Sequence, residues 1–346
     1  MALLFYSEGS MNTILPIASG KGGVGKTILA SNLGVALARL GKTCVLVDLD
    51  LGSSNLHTCL GIKNRHPGIG SYIYKKAESL ESLLVQTEIP NLFFIPGDSL
   101  FPGTANLPYF TKLKIIKELQ ALVADFIILD LGAGTAYNTL DFFLISAHGL
   151  LITTPETTAI LSAYSFIKGA AYRLLHRSFK ARSREREIIH EFITEPIEGN
   201  TKTFDELVER LGNHNTASGE RAREQLDSFL PRVVINLGNT NDDIAVGAKL
   251  REISRKNVGI NMEYIGVLPG ESDVSRSILE RRPYLQIVSG TPFSRSMFTI
   301  ARKLSSVEHR DAPSLFEGED LQELERELAR EEENADAGDI VLEDYG

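Results

Sequence analysis

The segment SGKGGVGKT (19–27) restricts the fold more than any other stretch of the chain. It follows an apolar run, ILPIAS (14–19), and opens a stretch in which Leu29, Leu33, Ala36, Leu37 and Leu40 recur on one helical face until Gly41 stops it. Strand, glycine loop and helix in that order begin an α/β unit. The loop fits G-x-x-x-x-G-K-[ST], and each position has a physical reason. Gly20, Gly22, Gly23 and Gly25, with Lys21 and Val24 between them, let backbone N–H groups curl around phosphates at the positive end of the helix that Thr27 and Ile28 enter. Lys26 reaches the β- and γ-phosphates, and Thr27 is placed to hold Mg2+.

The rest of the chain repeats the alternation. Apolar runs at TCVLVDLD (43–50), LFFIP (92–96), DFIILDL (125–131), GLLITT (149–154), PRVVIN (231–236) and MEYIGVLP (262–269) predict strands. Helical patterns around 112–122, 140–146, 157–176, 244–256, 274–279 and 293–304 lie between and after them. Continuous apolar strands separated by helices predict an α/β fold, a doubly wound, mostly parallel sheet with helices on both faces.

Two segments break the rhythm and set the expected domain plan. Residues 178–228 are polar and helix-compatible where a helix would ordinarily return to its strand, so they read as a helical insertion in a domain over 1–307. Residues 308–346 carry a net charge of −12 against −9 for the whole chain, which leaves +3 for the body. They read as an acidic linker, a short helix from Leu321 to about Glu333, and a disordered tail. Within 168–186, Lys168, Arg173, Arg177, Lys180, Arg182, Arg184 and Arg186 face Glu185 alone. Such a strip can be a solvated helix face, a dock for the acidic tail or another partner, or a non-specific DNA contact through phosphates.

Composition narrows the setting. Two cysteines, Cys44 and Cys59, can build neither a disulfide framework nor a four-cysteine metal site, which is the pattern of a reducing cytosol. No segment approaches about 18 consecutive apolar residues, and MALLFYSEGS lacks the parts of a secretion signal. A soluble, cytoplasmic protein is expected.

A phosphate loop needs one lysine, and this one has two. Lys21 sits too early to serve the nucleotide held by its own loop. It either lies solvated at the loop mouth or acts elsewhere. KGGVGKT resembles the deviant Walker A segment of the MinD/ParA family, and the similarity extends over about 13–177 and 230–304. The resemblance implies that Lys21 crosses a homodimer interface to touch the phosphates bound by the partner. It implies ATP and Mg2+ as ligands and slow, partner-stimulated ATP hydrolysis, with Lys21, Lys26 and Asp50 as catalytic residues.

Further segments carry the same resemblance. VLVDLDLGSSNLH (45–57) is similar to the first switch of the family, where Asp50 is implied to orient the attacking water and Asp48 to stand in the outer shell of Mg2+. The two aspartates are read as pointing to opposite faces of the strand. FIILDLGAGT (126–135) ends an apolar strand with Asp130 in the Walker B position for Mg2+ and brings Gly134 close to the γ-phosphate. Asn55 is a candidate for the γ-phosphate, and Asn236 and Pro269 resemble the adenine-binding positions.

Segments DLDLGSSNLHTCLGI and LDLGAGTAYNTLDFF place the chain nearer the MinD/FlhG side than the ParA side, implying control of the placement or number of a cellular structure. Unlike the basic membrane helices of that side, DLQELERELAREEENAD flanks its stripe of Leu321, Leu324 and Leu328 with glutamates, so membrane binding through the tail is not expected. A protein activator or cargo is implied. The same loop also serves metabolic enzymes that pass phosphate to a small molecule, and nucleotide-sensing adaptors of transcription regulators.

Overall fold

The computed structural model describes residues 12–63, 65–97, 107–194, 202–306 and 321–330. In chain order its elements are β1 (Thr13–Ala18), α1 (Lys26–Arg39), β2 (Cys44–Leu49), α2 (Leu56–Cys59), α3 (Ile69–Ile73), β3 (Val85–Gln86), β4 (Leu92–Ile95), α4 (Tyr109–Ala121), β5 (Phe126–Leu131) and α5 (Tyr137–Phe143). They continue with β6 (Leu150–Thr153), α6 (Thr157–Ser178), α7 (Arg184–Thr194), α8 (Phe204–His214), α9 (Thr216–Asp227), β7 (Arg232–Asn236), α10 (Asn241–Val258), β8 (Glu263–Leu268), α11 (Ser272–Leu279), α12 (Tyr284–Ile287) and α13 (Pro292–Ser305). A last helix covers 321–330.

The strands form one sheet in the order β3-β4-β2-β5-β1-β6-β7-β8, parallel throughout except for the β3–β4 pair. Sequence order and spatial order diverge because each crossover helix carries the chain to a new strand position, the doubly wound arrangement. Side-chain alternation sorts the strand residues into two cores. Val45, Val47, Ile127 and Leu129 pack against α4 to α10, whereas Cys44, Leu46, Phe126 and Ile128 pack against α1, α12 and α13. Burial on both faces is why the strands read as unbroken apolar runs rather than alternating ones.

Between α6 and β7 the described residues form α7, α8 and α9, which lie on the same layer as α6 and α10. Ile189, Phe192, Phe204, Leu207, Leu211, Ala222 and Leu226 join that core. Its polar composition reflects helices that bury one stripe each. Helix 321–330 buries Leu321 and Leu324 in the same core, while Lys303 of α13, on the opposite layer, bridges to Glu323 at 3.3 Å and Glu327 at 3.0 Å. The acidic stripe therefore faces a cation of its own chain. The expected linker at 308–320 and tail at 331–346 lie outside the described residues. Among the described residues no helix is long and apolar enough to cross a membrane.

Candidate nucleotide site

The glycine loop leaves β1 at the centre of the sheet and closes onto the start of α1. Gly25 precedes that helix with φ +94°, a left-handed backbone that side chains resist. A Cβ there would also stand 2.3 Å from the Asn236 amide, which donates to Val24 O at 2.8 Å. Gly20 is constrained from the other side, since a Cβ would lie 2.1 Å from Ser162 O of α6. Gly22 and Gly23 form the exposed tip, and Ile28 packs inward beneath it. No acidic residue occupies the first turn of α1, so its positive end is open to an anion.

Asp48 of β2 and Asp130 of β5 are register partners on adjacent strands and lie on the α1 side of the sheet. Both are buried. Lys26 Nζ donates to Asp130 Oδ1 at 2.5 Å, and the Thr27 hydroxyl bonds the same carboxylate. Burial pushes the pKa of both aspartates up, Asp48 to about 7, with the neighbouring charge of Asp130 adding to the rise at Asp48. Lys26 opposes the rise at Asp130. Two crowded, dehydrated carboxylates beside one ammonium and one hydroxyl are short of positive charge. That is the donor chemistry a divalent cation satisfies.

Thr27, Asp130 and Asp48 would hold Mg2+ here, directly or through water. Among the described residues no group of three or more acidic, histidine or cysteine side chains could hold a metal by itself. Mg2+ fits that economy because it keeps waters and shares its remaining positions with phosphate oxygens.

Asp48 and Asp50 do not diverge for the reason the sequence suggested. Residues two apart on a strand share a face. They separate because β2 ends at Leu49 and Asp50 enters a turn. The Asp48 carboxylate accepts from Asp50 N at 3.1 Å, Ser54 Oγ at 2.6 Å and Leu56 N at 3.1 Å, bracing the whole 50–56 turn. Asp50, half-buried, projects towards the segment after β5, its Oδ1 lying 3.5 Å from the position a Cβ would take on Gly132. Ser54, a strut for Asp48, lay hidden within a polar turn.

The other candidates are placed around this centre. Gly134 N donates to Ser19 O at 2.9 Å, which sets the segment after β5 against the base of the glycine loop. Asn55 is exposed and its amide closes a local turn on Ser53 O at 2.9 Å. Asn236 and Pro269 meet at the ends of β7 and β8, where Asn236 is the register partner of Leu268. Asn236 touches the loop at Val24 O, and Pro269 follows Leu268 at the end of β8.

Lys21 is neither in this centre nor loose in solvent. Its Nζ donates to Glu156 Oε2 at 2.7 Å and to Thr158 Oγ1 at 3.0 Å, at the start of α6. Its side chain remains one-third exposed, while that of Lys26 is buried. Glu156 escaped the sequence reading because its proximity depends on β6 lying beside β1, a fact of topology.

A profile described as the CobQ/CobB/MinD/ParA nucleotide binding domain matches residues 15–284. The chain belongs to that family. The flagellum site-determining protein YlxH of Helicobacter pylori is 30% identical over 62% of this chain and 69% of its own length. The septum site-determining protein MinD of Thermotoga maritima is 35% identical over 44% of this chain, and the match spans 56% of that relative. Among solved structures, MinD of Pyrococcus horikoshii complexed with Mg-ADP superposes with a TM-score of 0.58 at 19% identity, covering 88% of this chain and all of the other. That likeness shows the shared fold.

Proposed function

We propose that the protein is an ATP-dependent dimerising switch that hydrolyses ATP to ADP and controls the placement or number of a cellular structure, as the names of its septum- and flagellum-determining relatives suggest. The division of labour between the two lysines carries the reading. Lys26 is committed to the buried centre with Asp130, Thr27 and Asp48. Lys21 is held at the surface by Glu156 and Thr158, outside that centre.

An exposed pair such as Lys21–Glu156 contributes about 0–1 kcal/mol. A triphosphate presented by a second copy therefore competes for Lys21 at little cost. Supplying a cation in trans is the device by which arginine fingers accelerate phosphoryl transfer by about 10³–10⁵. In the same reading Asp50 aligns the attacking water, Thr27, Asp48 and Asp130 hold Mg2+, which neutralises phosphate charge, and Asn236 and Pro269 flank the base. A partner protein accelerates turnover and reads the assembled state.

Light scattering of size-separated protein tests the proposal. Wild type is expected to double in mass with ATP and Mg2+ and to stay monomeric with ADP. Lys21→Ala is expected to bind nucleotide and remain monomeric, and Asp50→Ala to stay dimeric with ATP without turnover. A Lys21→Ala protein that dimerises like wild type would falsify the reading.

A further inference from the structure

A second place on the molecule is built for anions, away from the glycine loop. A cavity of about 910 Å³ opens at the carboxyl end of α6, walled by the 179–183 turn, the first turns of α7 and α9, and Tyr109 of α4. We propose that this cavity binds a small molecule carrying two or more phosphate groups.

The charge balance around the cavity is the first support. Beneath it, the Asp141 carboxylate already serves three cations. Lys112 donates to it, Arg173 grips it through Nε at 2.7 Å and Nη2 at 2.8 Å, and Arg177 reaches it at 3.4 Å. Arg186 spends its Nε on Phe179 O at 3.0 Å. Lys180 and Arg221 make no ion pair with a described residue. Glu185 is the one acid in the lining, and its Oε1 accepts from Ser218 Oγ at 2.9 Å. Burial depresses the pKa of both Arg186 and His176 and the neighbouring Arg173 adds to the fall at each, with Asp141 opposing it at His176.

The backbone adds a second, independent contribution. Ala217 and Ser218 in the first turn of α9, a helix of 12 residues with no acid in that turn, line the cavity, and a helix start favours an anion, whereas the first turn of α7 is already occupied by Glu185 and Glu187. The end of α6 points the other way and accounts for His176 and Arg177, which complement its carbonyls. It does not account for Lys180, Arg186 or Arg221.

Shape and chemistry select among anions. The volume lies within the range of small-molecule pockets, roughly 300–1,000 Å³, and a concave wall suits a compact ligand better than the convex backbone of a duplex. Guanidinium groups grip phosphate oxygens in pairs, and half-exposed Tyr109 offers a ring at the rim. The site is separate from the nucleotide loop. From Glu156, which holds Lys21, to Arg173 and Arg177 the α6 axis advances about 25–30 Å.

Calorimetry with inorganic tripolyphosphate as probe, on the full chain saturated with ADP, tests the proposal. One binding isotherm is expected, and Arg186→Glu combined with Arg221→Glu is expected to weaken it about tenfold or more while ADP affinity stays unchanged. If that double variant fails to fold, Lys180→Glu at the exposed rim is expected to weaken the isotherm about threefold or more. An absent isotherm, or one that these charge reversals leave intact, overturns the proposal. So does an isotherm seen only after the seven acidic residues of 331–346 are replaced by their amides, which would make the chain's own end the occupant. Arginine-dependent binding of duplex DNA without tripolyphosphate binding also overturns it.

Discussion

The paired aspartates make stability and ligand binding depend on pH in a defined direction. Burial lifts Asp48 from its ordinary 3.8 to about 7, so the folded protein holds that proton more tightly than the unfolded chain. The stabilisation is complete at low pH and is lost as pH rises through the folded value. Urea midpoints of the ligand-free protein are therefore expected to fall between pH 5 and pH 8, and Asp48→Asn is expected to flatten the profile. Mg2+ with nucleotide supplies the missing positive charge, so its affinity is expected to rise over the same interval, read by calorimetry at several pH values. Lys26, Thr27 and Asp130 were legible in the sequence because each belongs to a local pattern with a fixed place at a strand or helix end. Glu156 was not, because an acid after a strand acquires meaning only when the neighbouring strand is known.

Among the elements, α6 meets the glycine loop near its start and the Asp141 cluster near its end. Gly20→Ala would drive a methyl group into Ser162 O, backbone against backbone, where neither side can rotate away. Overpacking of this kind costs about 1–3 kcal/mol. Thermal unfolding and nucleotide titration are expected to show loss of both stability and affinity. At the other end, burial alone raises the pKa of Asp141, but hydrogen bonds from Arg173 and Lys112 more than reverse the effect and hold it below the ordinary carboxylate value. Asp141→Asn leaves those cations without their counter-charge and is expected to cost about 3–5 kcal/mol in denaturant unfolding. Strands were readable as unbroken apolar runs and the long helices from their apolar period. The short helices α2, α3 and α12 and the two-residue β3 were not, since so few residues carry no period and are held by their packing. The strip at 168–186 could be counted but not resolved. Arg173 and Arg177 turned inward to Asp141, and Arg184 turned to Glu187 and Glu191.

For the whole molecule, the helix at 321–330 joins two layers that the sheet separates. Leu324 is buried on one side and Lys303 reaches across from the other. Leu324→Ala removes a core contact in the range of about 2–5 kcal/mol, and limited proteolysis is expected to release this helix faster while the body resists. Its leucine stripe was visible in the sequence, but its site was not, because a stripe does not name the surface that covers it. The sheet ends in β8 on one side and, on the other, in β3, whose Val85 and Gln86 pair antiparallel with β4. An outer rim so short gives an incoming strand almost no ladder to extend, the usual defence against edge-to-edge association. At that edge two copies of this chain would have to meet through side chains rather than main-chain ladders, and contacts of that kind can be made and released without unravelling either partner.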